Sequence, residues 1–149
     1  MLLNGGVKLS KYVLIVDDDA KLTKIIKYIV EQMPNTTAQT AGSGPMALQC
    51  VGEKRPDLVV LDIMLPRMDG GAVCRRLRAD PATERLPVLI ISGHRNVAQI
   101  ARDSGATDYL PKPFSLGVLD QRIQSLLFDG ECPPGTWSHV PNQLEVELC

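Results

Sequence analysis

Leu58-Val59-Val60-Leu61-Asp62-Ile63-Met64-Leu65-Pro66-Arg67-Met68-Asp69-Gly70 is the stretch whose reading decides the fold. Four apolar residues run straight into a carboxylate, and Pro66, Asp69 and Gly70 then turn the chain. A short apolar run bounded by turn residues reads as a central parallel strand. Asp62 ends that strand, at the edge of an open α/β sheet where ligands bind. An acid in that place serves chemistry rather than packing.

The pattern repeats outward from this stretch. Upstream, Tyr12-Val13-Leu14-Ile15-Val16 is a strand ending in Asp17-Asp18-Asp19. The spacing of Leu22, Ile25, Ile26, Ile29, Val30 and Met33 then predicts one apolar helical face. Thr36–Ala41 is β-prone but weakly apolar, as an edge strand is. A short helix carrying Met46, Ala47, Cys50 and Val51 leads to the central strand. Downstream, 70–79 reads as a helix with Val73 and Leu77 inward and Arg75, Arg76 and Arg78 facing water. Val88–Ile91 is a fourth strand ending at Ser92-Gly93, and a helix follows over 97–104. Thr107–Leu110 is a fifth strand. Lys112-Pro113-Phe114 opens a last helix with Leu116, Leu119, Ile123, Leu126 and Leu127 on one side. Five alternations of strand and helix predict an α/β doubly wound parallel sheet covered on both faces.

Composition narrows the function classes. The chain of 149 residues is long enough for one domain with a real core. Its 44% hydrophobic and 22% charged content is ordinary for a globular protein. A net charge of −1 leaves no basic footprint for nucleic acid. No apolar run approaches the roughly 20 residues of a membrane span, and Met1–Gly6 is too short for a secretory signal. Cys50, Cys74, Cys132 and Cys149 lack metal-ligand spacing, which favours free thiols in a reducing cytosol. Residues 1–10 read as a loose lead-in, 11–128 as the domain, and 129–149 as a tail or truncated linker.

In the parallel sheet, Asp17-Asp18-Asp19, Asp62 and Ser92 converge at one edge. Two carboxylates about 4 Å apart repel by roughly 4 kcal/mol at an effective dielectric near 20. Such a cluster needs raised pKa values or a cation among the acids. Hard oxygen ligands left partly open to water suit Mg²⁺, which takes one or two carboxylates, waters and a phosphoryl oxygen. The alternative for the Asp run is a plain helix cap. With a metal present, Asp62 could act as a nucleophile toward phosphorus, and Lys112 and Ser92 could offset charge on the transferred group.

These residues resemble the receiver domain of bacterial response regulators, over about 11–128. The resemblance rests on Val-Asp-Asp-Asp after strand one, Leu-Asp-Ile-Met-Leu-Pro-Arg-Met-Asp-Gly after strand three, Ser-Gly after strand four and Asp-Tyr-Leu-Pro-Lys-Pro-Phe at strand five. It implies a flavodoxin-like sheet of order 2-1-3-4-5 with five helices, the order of the chemotaxis regulator of this family. It further implies that Asp62 accepts a phosphoryl group from a sensor histidine kinase or phosphotransfer protein. Asp17, Asp18, Asp62 and the Met64 backbone carbonyl would hold Mg²⁺. Ser92 and Tyr109 would be the switch pair, and Lys112 would bond the phosphoryl group. Met64 and His94 would tune its lifetime, and Lys112-Pro113 would be a cis peptide.

The readout implied is the surface of the fourth helix, fifth strand and fifth helix, presented to a protein target. A phosphorylation-dependent homodimer there could use cross-subunit ion pairs of Asp108, Arg102 and Arg122. Tyr109 also reads as a half-buried strand residue, and His94 as a solvated loop residue. In the tail, Leu144, Val146 and Leu148 alternate with Glu145 and Glu147, so the segment reads either as loose chain or as a strand anchored by Trp137.

Other classes fit less well. An aspartate-nucleophile phosphohydrolase of haloacid-dehalogenase type needs an acid two residues after the nucleophile, where Met64 stands. A nucleotide or flavin module needs a Gly-rich loop after strand one, where three aspartates stand. A degenerate receiver acting as a phosphorylation-independent scaffold is the nearest rival. The sequence therefore predicts a phospho-accepting switch rather than an enzyme, acting in the cytoplasm.

Overall fold

The computed structural model describes residues 2–3, 7–8 and 10–128, so the tail, read either as loose chain or as a strand anchored by Trp137, lies outside the described residues. Five strands, β1 (Lys11–Val16), β2 (Thr36–Ala41), β3 (Leu58–Asp62), β4 (Val88–Ser92) and β5 (Asp108–Pro111), form one sheet in the order β2-β1-β3-β4-β5. All neighbours are parallel. Between and after them run α1 (Ala20–Glu31), α2 (Gly44–Glu53), α3 (Gly70–Ala79), α4 (Val97–Ser104) and α5 (Leu116–Phe128). This is the parallel sheet that the alternating pattern predicts, in the flavodoxin-like order that the resemblance implies. In the lead-in, Leu2–Leu3 pairs antiparallel with Val7–Lys8, a short ladder where loose chain was expected.

Burial explains the strand pattern. Every residue of β3 and β4 is buried, because helices cover both faces of the sheet. Leu14, Val59, Leu61 and Ile90 pack with α2, α3 and α4, whereas Ile15, Val60, Leu89 and Ile91 pack with α1 and α5. At the edge, β2 alternates buried Thr36 and Ala38 with exposed Thr37 and Gln39. Four helix starts are capped by side chains, that of α5 by Ser115, which accepts from the Val118 N–H. Asp19 accepts from the Lys21 and Leu22 N–H groups, Ser43 from Met46 and Asp69 from Ala72.

Several faces differ from the sequence reading. In α1 the buried centre is Thr23, Ile26 and Val30, while Ile25 is 43% exposed. The six apolar residues span a wider arc than the sheet can cover, so the outermost faces water. Leu116, read on the apolar side of the last helix, is exposed as well.

Arg78 departs furthest. Its guanidinium turns inward instead of facing solvent, donating to the Gly105 and Leu86 carbonyls at 2.7 Å each and to Thr107 Oγ1 at 3.2 Å. A planar fork of donors can fasten three chain segments at once, which an ammonium cannot. Gly105 must be glycine on two counts. It ends α4 with φ +82°, and a Cβ there would press on Arg78 Cγ at 3.2 Å.

Replacing Arg78 by methionine strands these acceptors at the amino edge of β4. We expect urea denaturation to show a loss of about 2–3 kcal/mol, within the range for charge-assisted bonds to partly buried groups. Arg78→Lys should recover little of it.

Candidate functional site

The site grows from register. Val16 pairs with Leu61, so the next residues, Asp17 and Asp62, stand side by side where β1 and β3 end. Both side chains are almost wholly buried, at 1% and 5% exposed. Asp18 is exposed, and carboxylate oxygens of Asp17, Asp18 and Asp62 all lie within 4.8 Å of one another. Asp19 turns away to cap α1. The Asp run thus divides its labour: the third acid is the cap and the first two join Asp62.

Lys112 arrives from beyond β5, carried by a cis Lys112–Pro113 peptide. Its Nζ donates to Asp17 Oδ2 at 2.9 Å and to Asp62 Oδ2 at 3.1 Å. The Asp19 N–H donates to Asp17 Oδ1 at 2.9 Å and the Met64 N–H to Asp62 Oδ1 at 3.1 Å. Burial pushes the Asp17 carboxyl above its ordinary value, and the charge of Asp62 adds to it; the bonds from Asp19 and Lys112 oppose this without cancelling it. Burial works to lower Lys112 as well, but the hydrogen bond to Asp17 and the charges of Asp62 and Asp17 hold the ammonium above its usual value. Lys112 is therefore charged at neutral pH, between two acids that lack enough countercharge. Asp17, Asp18 and Asp62 are a hard-oxygen donor set with one member open to water, and that suits Mg²⁺.

Around this centre the other expected residues take clear places. Ser92 ends β4 fully buried, with its Oγ accepting from the His94 N–H at 3.2 Å and its carbonyl accepting from the Lys112 N–H at 2.9 Å. His94 is half-buried, and its Nδ1 accepts from the Asn96 N–H at 3.0 Å. The Met64 side chain is 53% exposed beside Asp62. Tyr109 is half-buried against the core on the α2–α4 face. Asp108 and Arg122, expected as cross-subunit partners, bond each other within the chain at 3.0 Å, and Arg122 also donates to the Tyr109 carbonyl at 3.1 Å.

Sequence reasoning missed Gly70 as a site residue. It lies against the end of β3, where a Cβ would overlap the Asp62 carbonyl oxygen and stand 2.8 Å from Ile63 Cα. Its N–H donates to the Ile63 carbonyl at 2.8 Å. The signal was the Asp-Gly pair closing the first quoted stretch. Arg67, at φ +69°, makes the preceding turn in the left-handed region.

A parallel sheet with three acids and a lysine at its carboxyl edge defines a class of α/β modules distinct from nucleotide folds with a Gly-rich loop there. The profile of the response regulator receiver domain matches residues 13–124, and the chain belongs to that family, the receivers of two-component signalling. It is 38% identical over 121 residues to the response regulator MprA of Mycobacterium ulcerans, covering 80% of this chain and 51% of that protein. It is 41% identical over 120 residues to the transcriptional regulatory protein AfsQ1 of Streptomyces coelicolor, covering 79% and 51%. The chain thus spans about half the length of the curated relatives it matches. A putative response regulator from Chloroflexus aurantiacus superposes with a TM-score of 0.74 at 32% identity, covering 79% of this chain and 98% of that one. The receiver domain of the Francisella response regulator 1452 gives 0.71 at 32%, covering 79% and 97%. Among the described residues no helix is long and apolar enough to cross a membrane.

Two outcomes follow from this geometry. Gly70→Ala meets backbone that cannot swing aside, so its urea midpoint should drop by the equivalent of about 2–4 kcal/mol, a range typical of overpacking and strain. Because folding raises the Asp17 pKa, that group's contribution to stability is present below the ordinary carboxylate value and is lost as pH rises through the folded value. Asp17→Asn should therefore flatten the rise in melting temperature that the metal-free protein shows on mild acidification.

Proposed function

We propose that this chain is a phospho-accepting switch of the cytoplasm, taking a phosphoryl group from a sensor histidine kinase or phosphotransfer protein onto Asp62. One observation carries the reading: Lys112 Nζ lies within hydrogen-bond distance of both Asp17 and Asp62 at the carboxyl edge of the sheet. An Asp62 Oδ attacks phosphorus, the bond from phosphorus to the donor nitrogen breaks with its electron pair leaving on the imidazole, and an acyl phosphate results. Asp17 and Asp18, with Asp62 and the Met64 carbonyl, would hold Mg²⁺, which offsets charge on the phosphoryl oxygens when bound. Lys112 follows the new charge and pairs with a phosphoryl oxygen, while Ser92 supplies a hydroxyl donor. Met64 and His94, two residues beyond Asp62 and Ser92, govern water access and so the lifetime of the acyl phosphate.

Phosphorylation adds about 1.5 to 2 negative charges, by analogy with phosphoserine. Such a local change is enough to shift populations separated by a few kcal/mol. With Ser92 drawn to the phosphoryl group, Tyr109 turns inward and the surface of α4, β5 and α5 changes for a protein target. The internal Asp108–Arg122 pair must open before either residue could bridge a homodimer.

Intact mass after incubation with acetyl phosphate and Mg²⁺ tests the reading. A labile gain of one phosphoryl group, absent in Asp62→Asn, is expected. No gain in the unaltered protein, with Mg²⁺ binding also absent by calorimetry, would leave only a phosphorylation-independent scaffold. Where Mg²⁺ binds, its affinity should fall from neutral to mildly acidic pH, since burial makes Asp17 take up a proton above the usual carboxylate range.

A further inference from the structure

A groove lies at the end of the molecule opposite the acid cluster. It has a volume of about 650 Å³ between α2, α3 and the loop that follows α3. Leu48, Val51, Leu77 and Ala82 supply apolar lining, and Arg55 and Arg76 supply positive charge. Arg55 donates to the Ala82 carbonyl at 3.1 Å and Asp80 accepts from the Ala82 N–H at 2.9 Å, so both help to hold the loop. Arg76 is exposed on the outer side of α3. The volume is in the range of ligand pockets, and the chemistry asks for aliphatic side chains next to carboxylates.

We propose that residues 144–148 of this same chain, Leu144-Glu145-Val146-Glu147-Leu148, dock in that groove. Three observations converge on this occupant. The first is charge. Residues 129–149 contain Asp129, Glu131, Glu145 and Glu147 but no lysine or arginine, so this segment is at −4 while the chain as a whole is at −1. The first 128 residues are therefore at +3. The second is pattern. Three aliphatic residues alternate with two glutamates, so an extended segment presents Leu144, Val146 and Leu148 on one side and Glu145 and Glu147 on the other.

The third is reach. Helices that cover a parallel sheet run antiparallel to its strands, so α2, α3 and α5 all end at the amino edge. The groove lies between the carboxyl ends of α2 and α3, and Phe128, at the end of α5, lies at the same edge on the opposite face. Crossing from one helical layer to the other takes about 20 Å, given layer spacings near 10 Å. The 15 residues from 129 to 143 extend to about 50 Å, so the connection is long enough without strain. Docking at this edge leaves Asp62 open, which makes the contact independent of phosphoryl transfer.

Hydrogen exchange on the full chain tests the assignment. Leu144→Asp with Val146→Asp lies outside the described domain and leaves its core intact, yet should speed exchange across 48–55 and 76–83 several-fold. Arg76→Glu should do the same, and adding Glu145→Arg and Glu147→Arg to Arg76→Glu should restore protection. Trp137, the only tryptophan, gives a second readout: its emission anisotropy should fall in the two loosened variants. Exchange unaltered by Leu144→Asp with Val146→Asp would overturn the proposal. Protection that grows with protein concentration would overturn it too, by assigning the groove to a second copy.

Discussion

Asp17 and Asp62 are held side by side by the register of two neighbouring parallel strands, and both are withdrawn from water. Their mutual repulsion, several kcal/mol in a medium of intermediate dielectric, would push the strand ends apart if nothing opposed it. Lys112, carried in from beyond β5, opposes it with one ammonium shared between two carboxylates at 2.9 and 3.1 Å. One positive charge does not balance two negative ones, and Asp18 adds a third at the solvent side. The burial that raises Asp17 and the acids that raise Lys112 are two views of that imbalance. On the proposed reading, a centre left short of positive charge would attract a cation, and an electrophilic phosphorus carried to it would meet a carboxylate already positioned.

The two edges of the sheet divide the work. At the carboxyl edge the loops are short and committed to the site: Gly70 closes against the Asp62 carbonyl, and the Asp19 and Met64 N–H groups hold one oxygen of each buried acid. At the amino edge the work is fastening. Arg78 ties the end of α3 to the segments entering β4 and β5, and Thr107 Oγ1 accepts both from Arg78 and from the Val88 N–H. Burying a guanidinium is tolerable because its donors find carbonyls in the geometry a planar fork fits. The strands that deliver Ser92 and lead to Lys112 are thus pinned at the far end, away from the site.

Much of this is legible in the sequence. A buried parallel strand needs an uninterrupted apolar run, and Val13–Val16, Leu58–Leu61 and Val88–Ile91 are such runs, so strand count and direction followed from them. Each run ends in a polar residue, which gave the site its members. Side-chain direction was less legible. Arg78 and Arg76 are alike in a helical wheel of α3, and only the tertiary position of the Gly105, Leu86 and Thr107 acceptors makes one a fastening and leaves the other in water. Asp108 and Arg122 read as surface charges because 14 residues separate them, while folding sets β5 against α5 and joins them. Ile25 shows the same limit: periodicity defines an apolar arc, and the width of the sheet beneath decides how much of it is covered.

The anchoring of the helices is uneven in a way that bears on the switch. Asp19, Ser43 and Asp69 cap α1, α2 and α3 with side-chain oxygens. At α4 the Asn96 side chain makes no such bond, and the turn into the helix is held by the His94 ring and the His94 carbonyl. At eight residues α4 is also the shortest of the five described helices. Its start is joined to the site through Ser92, whose Oγ accepts from the His94 N–H. Drawing that hydroxyl toward a new anion at Asp62 would take away one of the few bonds that order this turn. A segment with few ordering bonds is where a structure opens at least cost. By contrast, Arg122 binds α5 to both the Asp108 carboxylate and the Tyr109 carbonyl. On the proposed reading, a charge arriving at Asp62 therefore acts first on the start of α4, because Ser92 and His94 link that turn directly to the site.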